Sequence, residues 1–252
     1  MHCLKSTLFN TLITAALLSA SVAVHAEGMV PETSLLIIDE ATHSGTINVK
    51  NTDSHPSLLY TNVVDLPDDT GLKLIATQPV VRLEPGQTQQ LRFILQNKQP
   101  LDVEHYKRVT FDGIPPKNDD KKIKIGINIR QDIPVLIRPA SLGVVTDAWK
   151  FLKWSSNGTS VTVNNPSKYV VRLGQNVMLL PSGVSASLSK TYILPGETLT
   201  ADMSKKVSGD SSVKFFPVWG GDQFWTKERL GKIGAKPREV RLRGKFRDFG
   251  LL

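Results

Sequence analysis

Cysteine is all but missing from this chain: there is one in 252 residues, Cys3. Disulfides therefore contribute nothing to its stability, and a cysteine-ligated zinc site is excluded. Histidine is sparse as well. His43, His55 and His105 each stand without a second histidine two to four positions away, the spacing a metal site needs. The chain also lacks a Gly-x-Ser-x-Gly elbow, a Gly-x-Gly-x-x-Gly turn after a strand and a phosphate-binding Gly-Lys-Ser/Thr loop. These absences argue against an enzyme and predict no cofactor and no metal. Beyond residue 26 no apolar run reaches about 20 residues, so no integral membrane segment is expected after that point. A basic surface spread over the whole fold is missing too. The net charge is +8, but residues 226–252 hold nine Lys/Arg against three Asp/Glu, leaving the rest nearly neutral, which speaks against a nucleic-acid partner.

What is present begins with an address. Lys5, an apolar stretch over residues 8–24 and the small-residue site Val24-His25-Ala26 read as a signal peptide over residues 1–26, cleaved before Glu27. Cys3 would leave with it. The remaining chain alternates at period two. Gly45-Thr46-Ile47-Asn48-Val49, Leu58-Leu59-Tyr60-Thr61-Asn62-Val63-Val64, Gln90-Leu91-Arg92-Phe93-Ile94-Leu95 and Tyr106-Lys107-Arg108-Val109-Thr110-Phe111 are short, rich in β-branched and aromatic residues, and bounded by turn formers. Their spacing predicts an all-β protein built from antiparallel sandwiches. Arg138-Pro139 separates about 110 residues, enough for one sandwich, from a second series of strands. The expected organisation is therefore a domain over residues 27–138, a second over 139–225, and a basic tail over 226–252, disordered because it has too little apolar surface to bury. Asp68-Asp69 and Asp119-Asp120 sit in polar, turn-like stretches and read as solvated loop acids.

One stretch is more pointed. Ile123, Ile125, Ile127 and Ile129 recur at every second position, which sets four isoleucines on one face of a long strand. Pro134 falls inside the continuation Asp132-Ile133-Pro134-Val135-Leu136-Ile137; without an N–H it places this strand at a sheet edge. Such an edge can receive a partner strand, including one from a second copy of the chain. The plainer reading is that the isoleucines face their own core.

At this point the chain resembles the periplasmic pilus (fimbrial) assembly chaperones of the PapD-like superfamily. The residues that carry the likeness are Ile38-Asp39 leading to Ile47-Asn48-Val49-Lys50-Asn51, then Pro79-Val80-Val81-Arg82-Leu83-Glu84-Pro85-Gly86, then Ile114-Pro115-Pro116, Arg138-Pro139 and Asn165-Pro166-Ser167-Lys168-Tyr169. The resemblance implies two immunoglobulin-like β-sandwiches set at an angle like a boomerang, a periplasmic location, pilin or fimbrial subunits as partners and delivery to an outer-membrane usher. It also implies that the strand holding Ile123, Ile125, Ile127 and Ile129 is the one donated to a subunit. Glu104 and Arg138 match an interdomain salt bridge. The two cations that usually anchor the subunit's terminal carboxylate have no match: their positions fall on Leu35 and Pro134. Arg108 and Arg130 are the nearby candidates, or else solvated strand residues, and the Tyr-x-Arg-Val-x-Phe pattern around Arg108 is similar to a divergent, alternate-type branch. The competing identity is a structural fimbrial component or adhesin-like sandwich.

Overall fold

The computed structural model describes residues 28–116, 129–209, 212–219, 222–223 and 226–232. The N-terminal half holds nine strands: β1 (Met29–Pro31), β2 (Leu36–Asp39), β3 (Ser44–Asn51), β4 (Ser57–Val64), β5 (Lys73–Ala76), β6 (Val80–Leu83), β7 (Thr88–Gln96), β8 (His105–Ile114) and β9 (Arg130–Arg138). The C-terminal half continues with β10 (Lys153–Ser156), β11 (Ser160–Asn164), β12 (Val171–Arg172), β13 (Asn176–Leu180), β14 (Ser185–Ser187), β15 (Tyr192–Ile193) and β16 (Thr198–Asp202). It closes with β17 (Ser212–Phe215), β18 (Val218–Trp219), β19 (Asp222–Gln223), β20 (Thr226–Arg229) and β21 (Gly231–Lys232). Two short 3-10 turns, Glu40–Thr42 and Ala148–Phe151, are the helical elements among the described residues.

The period-two pattern reappears directly as burial. Along β7, Leu91, Phe93 and Leu95 are buried while Gln90, Arg92 and Ile94 are not, and β3 and β4 alternate in the same way. In the N-terminal domain the strand order is β5-β7-β3-β2-β9-β8-β4-β6, with β1 added on β3. β2 turns the corner: it pairs with β3 at Asp39↔Ser44 and runs parallel to β9 from Leu36↔Val135 to Asp39↔Arg138. Gly45 makes this corner possible, because a Cβ there would lie 2.3 Å from the Ile37 carbonyl oxygen. The two halves close over one core that joins Ile47, Leu91 and Phe93 to Val109, Phe111 and Val135.

A second core forms around Trp154, Val161, Val163, Leu179 and Phe215, with the Trp154 and Phe215 rings 4.9 Å apart. Its strands order as β16-β11-β10-β21 and β14-β13-β17-β20, with β12 paired to β15. Each domain is pinned by one buried asparagine: Asn51 donates to the carbonyls of His55 and Leu83, and Asn165 to those of Tyr169 and Ile193.

Two expectations need correction. The strand pattern does not stop at Trp225, because Thr226–Arg229 pairs with β17 over four residues, Leu230 packs on the second core, and Gly231–Lys232 pairs with β10. An edge strand exposes one face, so Lys227, Glu228 and Arg229 make its sequence look like a solvated tail. The part of the basic segment beyond residue 232 lies outside the described residues. Second, β9 is an edge along only half its length. β8 flanks all of it, whereas β2 joins on the other side from Val135 onward, so Pro134 stands at the change from edge to centre.

Candidate functional site

The site is built on β8 and β9, antiparallel from His105↔Ile137 to Asp112↔Arg130. Pleating sends Val109, Phe111, Ile133, Val135 and Ile137 into the core. It sends Tyr106, Arg108, Thr110, Asp112, Arg130, Asp132, Pro134 and Leu136 to the opposite face. At one end that face is covered by the second domain: Tyr106, Leu136 and Leu35 form an apolar cluster with Val170, Tyr192 and Leu194. At the other end it stays open, and Leu58, Tyr60, Val80 and Ile114 are exposed on it.

Ile129 keeps the parity of Ile133, Val135 and Ile137, the core-facing row, yet it is 45% exposed. At Ile129 the row has therefore left the core formed by the described residues. Ile123, Ile125 and Ile127 lie outside the described residues. Among the described residues no strand pairs with the outer side of β9 over Arg130–Pro134. That side of β9 therefore has no ladder partner among the described residues and can receive a partner chain.

The two candidate cations are separated. Arg108 lies opposite Pro134 across the ladder, with Nε 2.8 Å from Asp132 Oδ1 and Nη2 donating to the Asp132 carbonyl at 3.0 Å. Arg130 is four residues further along β9, about 13 Å away at strand rise, and pairs with Asp112 at 2.7 Å on the open part of the face. At the closed end Tyr106 brings in a residue that sequence reasoning missed. The guanidiniums of Arg108 and Arg172 both approach its hydroxyl; burial pushes the phenol pKa up while the two cations pull it down. Arg172 Nη1 is buried without a hydrogen-bond partner. Nothing local marked Arg172, because it reaches the site across the domain boundary. Leu35, at the expected arginine position, is buried in the apolar cluster, which accounts for its being uncharged.

Glu104 and Arg138 are brought together, with Arg138 Nε 4.0 Å from Glu104 Oε1. The closer contacts of Glu104 are to backbone: Oε2 accepts the Val170 N–H at 2.9 Å, and its own N–H donates to the Lys168 carbonyl at 2.9 Å. Burial raises its pKa from the usual 4.5 to about 7, against the opposing pull of the Val170 N–H and Arg138. The reading of Asp68-Asp69 as solvated loop acids is overturned for Asp69, while Asp68 stays on an exposed turn. Asp69 is buried, accepting the Tyr106 N–H and lying 2.7 Å from His105 Nδ1, and Asp68 pairs with Lys190 of the second domain. Asp119-Asp120 lies outside the described residues. Among those residues no group of three metal-ligating side chains comes together, and no helix is long and apolar enough to cross a membrane.

Comparison with known proteins agrees with this layout. Residues 28–143 match the pili and flagellar-assembly chaperone, PapD N-terminal domain, and residues 147–218 match the pili assembly chaperone PapD, C-terminal domain. An uncharacterized fimbrial chaperone YhcA of Escherichia coli strain K12 is 50% identical over 202 residues, 80% of this chain and 89% of that protein. The chaperone protein MrkB of Klebsiella pneumoniae is 27% identical over 218 residues, 77% of this chain and 93% of its own. Among solved structures, the Salmonella enterica SafA pilin in complex with the SafB chaperone matches with a TM-score of 0.68 at 21% identity, covering 82% of this chain and 99% of that one.

Proposed function

Because the chain belongs to the PapD family of pili-assembly chaperones, we propose that it works in the periplasm, holding pilin subunits by strand donation until an outer-membrane usher takes them. Both chaperone domains match and the 50% identical relative is a fimbrial chaperone, which leaves the structural-component alternative without support. The observation that carries the donation step is the open half of β9: a strand edge with no neighbour among the described residues, preceded in the sequence, beyond an exposed Ile129, by the alternating isoleucines. A subunit short of one strand presents the complement, unpaired backbone groups and an apolar groove. Adding Ile123, Ile125, Ile127 and Ile129 satisfies both together. At about 1.5–3 kcal/mol for each buried side chain, four isoleucines supply several kcal/mol before ordering costs.

Arg108 is the anchor this reading favours for the subunit's terminal carboxylate. It stands across the ladder from Pro134, so the charge has moved one strand over at the same level of the cleft. Arg130 stands further along the strand, committed to Asp112. Glu104 and Arg138, with the Val170 N–H, join the domains behind the cleft.

The test is co-purification from periplasmic extract with the pilins produced beside it, followed by mass spectrometry, for the parent and an Ile125→Asp/Ile127→Asp double variant. The parent is expected to retain pilin. The double variant is expected to be a folded protein that retains none, since an acid is hydrated on a free edge but costly in an apolar groove. Equal retention by both would show that this strand is not the donor.

A further inference from the structure

The segment joining β4 to β5 carries three acids whose contacts form one connected network. Asp65 Oδ1 is 2.6 Å from Lys107 Nζ, on a lysine whose side chain is fully buried. Asp69 holds the Tyr106 N–H and lies 2.7 Å from His105 Nδ1. Three consecutive residues of β8 are thereby tied to this segment. Between the two acids, Asp68 crosses to the other domain: it pairs with Lys190 Nζ and accepts the Tyr192 hydroxyl at 3.1 Å. Lys190 also lies 2.5 Å from Glu197 and 4.7 Å from the centre of the Tyr192 ring. Leu66, in the same segment, packs into the interdomain apolar cluster.

The network leads to the cleft through one ring. The Tyr192 ring packs tilted by 44° against Tyr106, centroids 4.9 Å apart, and Tyr192 is the ladder partner of Arg172. Arg172 in turn approaches the Tyr106 hydroxyl beside Arg108. Holding Tyr192 therefore steadies Arg172, its direct cross-strand neighbour in the β12–β15 pair. Glu104 and Arg138 are not part of this set of contacts, so among the described residues polar contacts join the two domains at two separate places beside the apolar cluster.

We propose that Asp68 is a positioning residue for the cleft: by fastening Lys190 and Tyr192 to the N-terminal domain it sets Arg172 beside Arg108 and completes a two-guanidinium site for the subunit's terminal carboxylate. The proposal rests on the carboxylate reading of Arg108 given above, and extends it with Arg172, whose unpartnered Nη1 supplies a free donor. Because Asp68 and Lys190 are partly exposed, salt screens the fastening.

The experiment uses the full mature chain. Residual dipolar couplings at low and high salt report the orientation of the two domains in the parent, Asp68→Asn, Tyr192→Phe and the charge exchange Asp68→Lys/Lys190→Asp. Titration with a pilin C-terminal peptide, once with a free carboxylate and once amidated, reports the site. Asp68→Asn is expected to loosen the orientation and to lose about fivefold or more in affinity for the free-carboxylate peptide only. The charge exchange should restore orientation, and Asp68→Asn should add little on an Arg172→Ala background. An orientation unchanged in Asp68→Asn and Tyr192→Phe would overturn the fastening. Equal losses for the free and amidated peptides would overturn the link to Arg172. Failure of the carboxylate reading itself is separately visible, as a parent protein that binds both peptides alike while its domain orientation still responds to Asp68→Asn.

Discussion

Replacing Glu104 by glutamine should turn a pH-dependent joint between the domains into a pH-independent one. Glu104 is 3% exposed and its pKa in the folded protein is about 7, against 4.5 when unperturbed. Folding therefore favours the protonated form. Below about pH 4.5 the group is neutral in folded and unfolded chains alike, and its burial carries no charge penalty. Between about pH 4.5 and 7 the unfolded chain ionises while the folded protein keeps its proton, so stability falls, and it levels off once the folded protein too ionises its buried carboxyl. Two to three pH units at roughly 1.4 kcal/mol each set that loss at about 3–4 kcal/mol, complete above about pH 8. The glutamine amide would keep an oxygen for the Val170 N–H while carrying no charge. The assay is thermal unfolding of both proteins between about pH 4 and 9. The melting temperature of Glu104→Gln minus that of the parent is expected to rise by roughly 6–16 °C from acid to alkaline pH, at about 2–4 °C per kcal/mol for a chain of this size. A constant offset across the range would refute the reasoning, because it would mean that Glu104 is ionised in the joint at no cost or is not buried there.

Arg108→Ala should weaken pilin binding by more than about 1 kcal/mol, the upper range of an exposed ion pair, whereas Arg130→Ala should leave affinity unchanged; calorimetry with a subunit peptide reads both, and the reverse order would move the anchor to Arg130. Truncation after Trp225 removes the β20 partner of β17 and the packing of Leu230. About 2–4 kcal/mol of lost ladder and burial should lower the melting temperature of the second domain by roughly 10 °C or more, and an unchanged melt would mean that β20 contributes nothing to that domain.

The amino-acid sequence by itself determined what depends on near neighbours. Alternation at period two sorted Leu91, Phe93 and Leu95 from Gln90, Arg92 and Ile94, because a pleated strand allows its side chains only two directions. Asn51 and Asn165 could be noticed as motifs because a buried amide that satisfies several carbonyls leaves few alternatives at its position. The proline at 134 announced an edge, since a missing donor has only local remedies. Tertiary structure alone decided the rest. Whether β9 is edge or centre depends on where β2 arrives, and that is a fact about a strand almost 100 residues earlier. Thr226–Arg229 became a strand through β17, a neighbour whose free side no charge pattern reveals. Asp68 and Arg172 gained their partners across the domain boundary, where ion pairing depends on distance in space and composition says nothing about which residues will meet.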